Sequence, residues 1–284
     1  MTENSVKIKR ELPDKDAPIG VFDSGVGGLT VAREIMRQIP NEKIIYFGDT
    51  ARVPYGSKSQ ETVTRFSEQI VRFLNTFRVK TIVVACNTAS AYALDALEAE
   101  SNIPMIGVVK PGARVAAEVT RNGRIGVIAT EATIGSQIYT KYIRELNKNV
   151  TIYGKACPLF CPLVEEGLLE DPVTDEIARR YLAELIDIDI DTLILGCTHY
   201  PLIRSTIRKI MGEGVTLVNP AYETARELKE MLAGLHLLQE EPPGLGGNRY
   251  QFYVSDKAEK FVSFANSIIK YGILSAKTIN IEDY

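Results

Sequence analysis

The sequence contains Thr-Ile-Val-Val-Ala-Cys-Asn-Thr (81–88) and, about 110 residues later, Thr-Leu-Ile-Leu-Gly-Cys-Thr-His (192–199). Each stretch is an apolar run that leads into a cysteine and then into hydrogen-bonding side chains. An apolar run with polar residues at its ends is typical of a buried strand in a parallel sheet. In open α/β sheets, ligands bind at the carboxyl ends of the strands. We therefore expect Cys86 and Cys197 to face each other across one small molecule.

The rest of the chain alternates apolar runs with amphipathic segments, which predicts an α/β fold with mainly parallel sheets. Strands are predicted at 19–23, 43–48, 81–86, 104–109, 124–129, 150–154, 192–197, 215–219 and 251–255. The helical spacing of apolar residues predicts a helix over 59–78 with Ser59 as its N-cap. It predicts another helix over 174–187 with Thr174 as its N-cap.

Two further landmarks repeat between the halves of the chain. Residues 19–22 (Ile-Gly-Val-Phe) correspond to 125–128 (Ile-Gly-Val-Ile), and 109–111 (Val-Lys-Pro) correspond to 218–220 (Val-Asn-Pro). With the two cysteines, these make three landmarks in the same order at nearly constant spacing. Any two α/β units share a strand-turn-helix pattern, so such similarity can arise without duplication. The matched cysteines favour a duplication. The sequence therefore predicts two similar three-layer α/β domains.

The composition limits the class of protein. The chain has 284 residues, 45% of them hydrophobic and 24% charged, and its net charge is −3. This is an ordinary globular balance, and without a basic cluster it does not indicate binding to nucleic acid. No apolar stretch is long enough to span a membrane, and the charged N-terminal extension 1–17 lacks the apolar core of a signal peptide. We therefore expect a cytoplasmic protein with four free thiols and a Pro/Gly-rich linker at 240–247.

The first predicted strand runs into a glycine-rich turn, Phe-Asp-Ser-Gly-Val-Gly-Gly (22–28). Such a turn can present backbone N–H groups to an anion at the start of a helix. A dinucleotide site is disfavoured, because Thr30 stands where the third glycine of that motif belongs. A substrate carboxylate or amino group held by Asp23 and Ser24 fits better.

The second predicted strand is followed by Gly-Asp-Thr-Ala-Arg-Val-Pro-Tyr-Gly-Ser (48–57). Local reasoning favours an ordinary turn here, because Pro-Tyr-Gly is common turn chemistry. The alternative is a loop that closes one side of the pocket with Tyr55 and the amide of Gly56.

The neighbours of each cysteine indicate what the thiols do. Asn87 and Thr88 follow Cys86 and carry donors suited to a carboxylate, although a buried cysteine is most often a small packing residue. His199 lies two residues from Cys197, where an imidazole can favour the thiolate or share its proton. A Cys–His pair alone indicates a nucleophilic hydrolase. A second thiol in the matching position favours a racemase, which needs acid/base groups on both faces of one carbon.

The segment Cys-Pro-Leu-Phe-Cys-Pro (157–162) has C-x₃-C spacing, but no second pair of ligands accompanies it at the spacing of a zinc finger. We interpret both cysteines as packing residues and expect no metal. Glu165 and Glu166 follow, either as a solvated helix start or as a carboxylate near the Cys197 side. No lysine has the context of a pyridoxal phosphate site, so we expect no cofactor.

Five stretches together carry a family resemblance. They are Phe-Asp-Ser-Gly-Val-Gly-Gly-Leu-Thr-Val (22–31), Gly-Asp-Thr-Ala-Arg-Val-Pro-Tyr-Gly (48–56), Ala-Cys-Asn-Thr-Ala (85–89), Pro-Gly-Ala-Arg (111–114) and Leu-Gly-Cys-Thr-His-Tyr-Pro-Leu (195–202). On these residues the chain resembles the bacterial glutamate racemases of the cofactor-independent aspartate/glutamate racemase superfamily. Aspartate racemases keep the two cysteines but resemble the surroundings less, especially at 198–201.

The resemblance implies two α/β domains that face each other, with the substrate at their interface. It implies that the C-terminal segment returns to the first domain, so that 18–108 plus 222–284 form the first domain and 109–221 the second. It implies an isomerase that interconverts L-glutamate and D-glutamate and supplies D-glutamate to peptidoglycan, and so to cell-wall biogenesis and cell shape. A racemase for aspartate or another small acidic amino acid is the alternative, and a Cys–His hydrolase is a more distant one.

The resemblance also assigns roles to residues. Cys86 takes the proton from D-glutamate and Cys197 takes it from L-glutamate. Asp23 assists on the Cys86 side, whereas His199 and Glu165 assist on the Cys197 side. The residues that hold the substrate are carried over as Asp23, Ser24, Tyr55, Gly56, Asn87, Thr88, Thr198 and His199. The resemblance allows a homodimer, and it allows a nucleotide cell-wall precursor as a regulator.

Overall fold

The computed structural model describes residues 14–241, 249–269, 273 and 275–284. Within them the strands are β1 Ile19–Asp23, β2 Ile44–Gly48, β3 Thr81–Val84, β4 Met105–Gly107, β5 Arg124–Ala129, β6 Thr151–Ala156, β7 Thr192–Gly196, β8 Thr216–Val218, β9 Tyr250–Val254 and β10 Lys277–Thr278. The helices are α1 Leu29–Gln38, α2 Gln60–Asn75, α3 Asn87–Tyr92, α4 Leu94–Glu100, α5 Val109–Val119, α6 Glu131–Gly135, α7 Ile138–Leu146, α8 Phe160–Glu165, α9 Pro172–Asp187, α10 Arg204–Met211, α11 Pro220–Gly234 and α12 Ala258–Ile268. Short 3₁₀ turns lie at Tyr55–Ser57, Tyr200–Ile203 and Ile281–Asp283. All nine predicted strands are present, with their ends shifted by about two residues or less.

The strands form two sheets that share one internal order. One sheet is ordered β10-β9-β2-β1-β3-β4 and the other β6-β5-β7-β8, and every paired neighbour is parallel. The order β2-β1-β3-β4 therefore recurs as β6-β5-β7-β8, which agrees with the duplication predicted from sequence. Strands β9 and β10 extend only the first sheet, and they come from the C-terminal part of the chain. The boundaries 18–108, 109–221 and 222–284 stay a prediction.

Apolar side chains cover both faces of each sheet, which gives each unit three layers. In β1, Val21 packs with α1 and α11 on one face, and its neighbour Phe22 packs with α2 on the other. In β7, Leu193 packs with α9 and Ile194 packs with α5. Successive side chains of a strand point to opposite faces, so a strand covered on both faces has to be apolar throughout. This is why the runs that end at the two cysteines contain no polar interruption.

Of the two N-caps predicted from the sequence, the structure contains one and replaces the other. The Ser59 side chain accepts a hydrogen bond from the first turn of α2, as predicted. The predicted cap Thr174 is wrong, because α9 begins two residues earlier, behind Asp171. The Asp171 carboxylate accepts a hydrogen bond from the amide of Val173 at 2.8 Å, and Pro172 at the first helical position needs no such partner. Thr174 is buried within the first turn and donates to a backbone carbonyl.

Two predicted segments lie largely outside the described residues. Of the linker 240–247, only residues 240 and 241 are described, and of the extension 1–17, only 14–17. No helix in the described ranges combines the length and the apolar character needed to cross a membrane.

Candidate active site

The two cysteines lie where the third strand of each unit ends. Cys86 follows β3 by two residues and directly precedes α3, and Cys197 directly follows β7. Both are buried, and both line one cavity, whose empty volume of about 460 Å³ includes space open to solvent. The cavity is lined by Ser24, Gly25, Val53, Pro54, Tyr55, Gly56, Cys86, Asn87, Thr88, Thr130, Cys161, Glu165, Cys197, Thr198 and His199. Every predicted site residue except Asp23 is therefore in its wall.

On the first side, Cys86 lies at the N-terminus of the short helix α3, next to the hydroxyl group of Ser24. Its Sγ lies 3.7 Å from the Oγ of Ser24 and accepts a hydrogen bond from the amide of Ala89 at 3.5 Å. Burial, followed by the negative charge of Asp23, raises the pKa of the Cys86 thiol to about 12. The hydrogen bonds that Cys86 makes with Ala89 and Ser24 lower this pKa, but their effect is smaller.

Asp23 lies behind the cavity wall. Its carboxylate is fully buried, accepts a hydrogen bond from the amide of Gly25 at 3.0 Å and accepts a longer one from Thr198 at 3.5 Å. Burial raises the pKa of this carboxyl, although the charge of His199 partly opposes the effect. Asp23 therefore connects the Cys86 side to the loop that follows Cys197.

On the second side, Cys197 faces an imidazole that is itself held by a carboxylate. Nδ1 of His199 lies 3.7 Å from the Cys197 sulfur, and Nε2 lies 2.9 Å from Oε1 of Glu165. Burial lowers the pKa of His199, but its hydrogen bonds with Cys197 and Glu165 outweigh this and raise that pKa to about 10. The hydrogen bond with His199 also lowers the pKa of Glu165. At neutral pH the pair is thus an imidazolium and a carboxylate.

A third cysteine lies against Cys197. The Sγ atoms of Cys161 and Cys197 are 3.5 Å apart, and this contact, followed by burial, raises the pKa of Cys197 well above its usual value while His199 opposes it. The interpretation of residues 157 and 161 as packing residues fits Cys157, which is wholly buried in the core, and Cys161 packs against the same core. In addition, Cys161 lines the cavity, which that interpretation did not include. Cys161 and Glu165 are four residues apart on α8, so they share one helix face, and that spacing is the sequence signal that was overlooked.

The loop between β2 and α2 closes the cavity from the first unit. Tyr55 is buried, and its hydroxyl donates to the carboxylate of Asp49, which also accepts from Arg52 at 2.7 Å. A Cβ atom added to Gly56 would lie 2.6 Å from the Cβ of Thr130. The loop therefore lies directly against the second unit, and the interpretation that local reasoning disfavoured is the better one.

Polar residues after Cys86 also reach across to the second unit. The hydroxyl of Thr88 lies 3.0 Å from that of Thr130, and the amide oxygen of Asn87 accepts from the hydroxyl of Tyr139 at 2.7 Å. Thr130 and Tyr139 were missed from sequence, because neither stands in a recognisable motif. Their contacts depend on how the two units face each other.

The glycines of the first turn serve a close approach between units. A Cβ atom on Gly27 would lie 2.4 Å from Oγ1 of Thr198 and 2.5 Å from the ring of His199. One on Gly28 would lie 2.3 Å from the Cβ of Asp23. The amide of Gly25, one of the N–H groups that such a turn can present to an anion, donates to the protein's own carboxylate at Asp23.

Residues 19–228 match the profile of the Asp/Glu/Hydantoin racemase family. The chain belongs to this family. The glutamate racemase of Geobacter metallireducens is 53% identical over 251 residues, which cover 88% of this chain and 92% of that protein. The glutamate racemase of Francisella tularensis, solved with D-glutamate, has a TM-score of 0.87 and 39% identity, covering 95% of this chain and 100% of that one. The Escherichia coli enzyme, solved with L-glutamate and the activator UDP-MurNAc-Ala, has a TM-score of 0.75 and 29% identity, covering 93% and 98%.

These similarities confirm three of the expectations drawn from the sequence motifs. The family is the expected one, the fold is the expected arrangement of two α/β units with parallel sheets, and the enzyme is a racemase, which is an isomerase. The two units of this racemase meet at the cavity that contains both cysteines.

Proposed function

We propose that this racemase interconverts L-glutamate and D-glutamate by proton transfer between two cysteine bases, Cys86 and Cys197. The observation that carries the proposal is that two thiols, at equivalent strand ends of two similar units, line one small cavity. Glutamate as the substrate is supported by the 53% identity to a curated glutamate racemase over most of the chain.

In each direction one cysteine acts as base and the other as acid. A thiolate takes the α-proton, so that the C–H bond breaks and an S–H bond forms, and the electron pair stays on the α-carbon. The second cysteine then gives its proton to the opposite face of that carbon and becomes a thiolate. Following the family resemblance, Cys86 acts on D-glutamate and Cys197 acts on L-glutamate.

The electrostatics of the cavity support this chemistry. Burial favours the neutral thiol at both cysteines, so a bound cation has to favour the thiolate, and the α-ammonium group of the substrate provides one. A thiolate whose conjugate acid has a pKa of about 12 is a stronger base than an ordinary one, which suits the removal of a weakly acidic α-proton. The His199 imidazolium serves the Cys197 side in addition.

Hydroxyl, amide and backbone groups in the cavity wall would hold the substrate. Those we assign to its carboxylates and amino group are Ser24, Tyr55, Gly56, Asn87, Thr88, Thr198 and His199, with Asp23 acting from behind the wall. The role we infer is the supply of D-glutamate to peptidoglycan, in the cytoplasm, where thiols stay reduced. Control by a nucleotide cell-wall precursor is supported by the activator in the E. coli structure. A homodimer stays a prediction.

Racemization in D₂O tests the proposal. Because each proton returned to carbon comes from a thiol that exchanges with solvent, the product enantiomer should carry deuterium at the α-carbon. Product that keeps its α-hydrogen would contradict the two-base mechanism. A polarimetric comparison of amino acids tests the substrate, and faster racemization of aspartate than of glutamate would contradict that assignment.

A further inference from the structure

Three soft donor atoms meet on one side of the cavity. Sγ of Cys161, Sγ of Cys197 and Nδ1 of His199 all lie within 4.8 Å of one another. The two sulfur atoms are 3.5 Å apart, and the Cys197 sulfur is 3.7 Å from the imidazole nitrogen. Proton transfer uses Cys197 and His199, but it gives no task to Cys161.

These separations match the edges of a tetrahedral zinc site. Zinc binds thiolate sulfur at about 2.3 Å and imidazole nitrogen at about 2.0–2.1 Å, which places two such ligands about 3.5–3.8 Å apart. The observed distances of 3.5 and 3.7 Å fall in this range, and the third pair, Sγ of Cys161 and Nδ1 of His199, lies within 4.8 Å. Two cysteines and one histidine are also the protein ligands of some zinc sites that keep a fourth position open.

The imidazole is oriented as a metal ligand requires. Nε2 of His199 lies 2.9 Å from Oε1 of Glu165, so Nε2–H donates to the carboxylate, and the Nδ1 proton of the imidazolium is the one that a metal cation displaces. A carboxylate behind a histidine fixes the ring and makes it a better ligand. The fourth position would open into the cavity, toward water or a substrate carboxylate.

We propose that Cys161, Cys197 and His199 form a binding site for Zn²⁺, and that zinc bound there inhibits the enzyme. Binding forms two S–Zn bonds and one N–Zn bond, and it releases to solvent the two thiol protons and the Nδ1 proton of the His199 imidazolium. Inhibition follows because a sulfur bound to zinc can neither take nor return the α-proton. The inhibition rests on the proposed function, whereas zinc binding itself does not.

The opposite side of the cavity has no equivalent donor set. Around Cys86 the polar partners are the hydroxyl of Ser24 and the amide of Ala89, and neither is a good ligand for zinc. The nearby carboxylate of Asp23 is already held by Gly25. In the described ranges, the group of three potential ligands involves only the Cys197 side.

Binding is measured on the full chain, with a phosphine reductant keeping the thiols reduced. Zn²⁺ is titrated against a chromophoric chelator, and Co²⁺ serves as the spectroscopic probe. Wild type should bind one equivalent, and Co²⁺ should give a thiolate-to-cobalt charge-transfer band. Cys161→Ser should weaken zinc binding by more than about tenfold, since losing even an outer-shell partner costs about 10–100-fold. The matched control Cys157→Ala changes a core cysteine of the same segment and should bind as wild type does.

Activity measurements then separate binding from inhibition. Zinc should inhibit the wild type, a chelator should restore its activity, and Cys161→Ser should resist zinc relative to its own metal-free rate. Cys86→Ser should bind zinc with wild-type affinity even though the proposed function predicts that it cannot racemize. Unchanged zinc affinity in Cys161→Ser, or cobalt binding without the charge-transfer band, would overturn the proposal whatever the enzyme's substrate is.

Discussion

The ends of strands β3 and β7 are built alike but differ in what surrounds the thiol. Both carry a buried cysteine at the same place in the same strand order. Cys86 has a hydroxyl, a backbone amide and a buried carboxylate beside it. Cys197 has an imidazole that is paired with a carboxylate, and a second thiol. One unit therefore places a negative group near its thiol, and the other places a positive one.

This difference shows that a duplicated fold can place two cysteines at equivalent positions and still give them different chemical surroundings. The substrate enantiomers are mirror images, but the two sides of the cavity are not. The equilibrium constant between enantiomers is unity, so kcat/KM must be the same in both directions. Differences between the two sides can then appear only in the individual steps, in which each cysteine removes or returns the α-proton.

The largest effect should follow from removing either thiol. Cys86→Ala and Cys197→Ala should each lower kcat/KM on the order of 10⁴-fold in both directions, because each racemization needs a base and an acid. Circular dichroism of the reaction mixture, started from each enantiomer, measures this. Cys157→Ala is the matched control and should stay near the wild-type rate. Racemization at a tenth of the wild-type rate in either active-site variant would contradict the two-base assignment.

A smaller effect should follow from changing the two supporting groups. Asp23→Asn and His199→Gln should each lower kcat/KM on the order of 100-fold, equally in both directions. The primary deuterium isotope effect should separate them. It should rise for α-deuterated D-glutamate in Asp23→Asn, which slows the Cys86 step, and for the L-enantiomer in His199→Gln.

Glu166, the exposed neighbour of Glu165, provides the control for the Asp23→Asn and His199→Gln variants. Glu166→Gln alters a side chain outside the cavity wall and should leave both isotope effects as they are in wild type. Isotope effects that rise together for both enantiomers in Asp23→Asn would show that Asp23 does not belong to one side.

Crowding the contact between the units should affect both sides at once. Gly27→Ala would place a Cβ atom 2.4 Å from Thr198 and 2.5 Å from His199, and overpacking of this kind costs about 1–3 kcal/mol. Urea unfolding should show this loss, together with lower activity. Gly234→Ala has no heavy atom within 4 Å of the added Cβ and should be neutral or stabilising. Wild-type stability in Gly27→Ala would contradict the close approach.

The smallest effect is a pH dependence of stability on the Cys197 side. The pKa of His199 is about 10 in the folded protein and about 6.5 when unfolded. Its contribution is therefore fully present below pH 6.5 and is lost as the pH rises toward 10. Between about pH 6.5 and 8, before free thiols ionise, it should lower the free energy of unfolding by roughly 1 kcal/mol per pH unit. Urea unfolding of His199→Gln should show a flatter slope, and an unchanged slope would contradict the imidazolium assignment.

The strands and their duplication could be predicted from sequence because they depend on local patterns. The runs before Cys86 and Cys197 are apolar on every residue, which only a strand covered on both faces requires. The cap at Thr174 was wrong because the stronger signal, Asp171 followed by Pro172, lies just outside the periodic stretch. Local sequence patterns thus predict the presence of a strand or helix better than the residues at which it begins and ends.

The cavity could be predicted only in part, because its wall combines residues of both units. Cys86, Cys197 and His199 stand in motifs, whereas Thr130 and Cys161 acquire their positions from packing. The glycines at 27 and 28 stand in a turn of the kind that can bind an anion, yet what they allow here is the approach of Thr198, His199 and Asp23. Such contacts are long-range in sequence, so no local window contains them.

Exchange of the α-hydrogen in single-cysteine variants tests the assignment of one thiol to each enantiomer most directly. Each enantiomer is incubated with Cys197→Ala or Cys86→Ala in D₂O, and proton NMR follows the α-hydrogen. Cys197→Ala should exchange the α-hydrogen of D-glutamate without forming L-glutamate, because Cys86 can still remove that proton and return a solvent-derived one. Cys86→Ala should do the same for L-glutamate only. A variant that exchanges both enantiomers equally would contradict the division of the cavity into two one-sided bases.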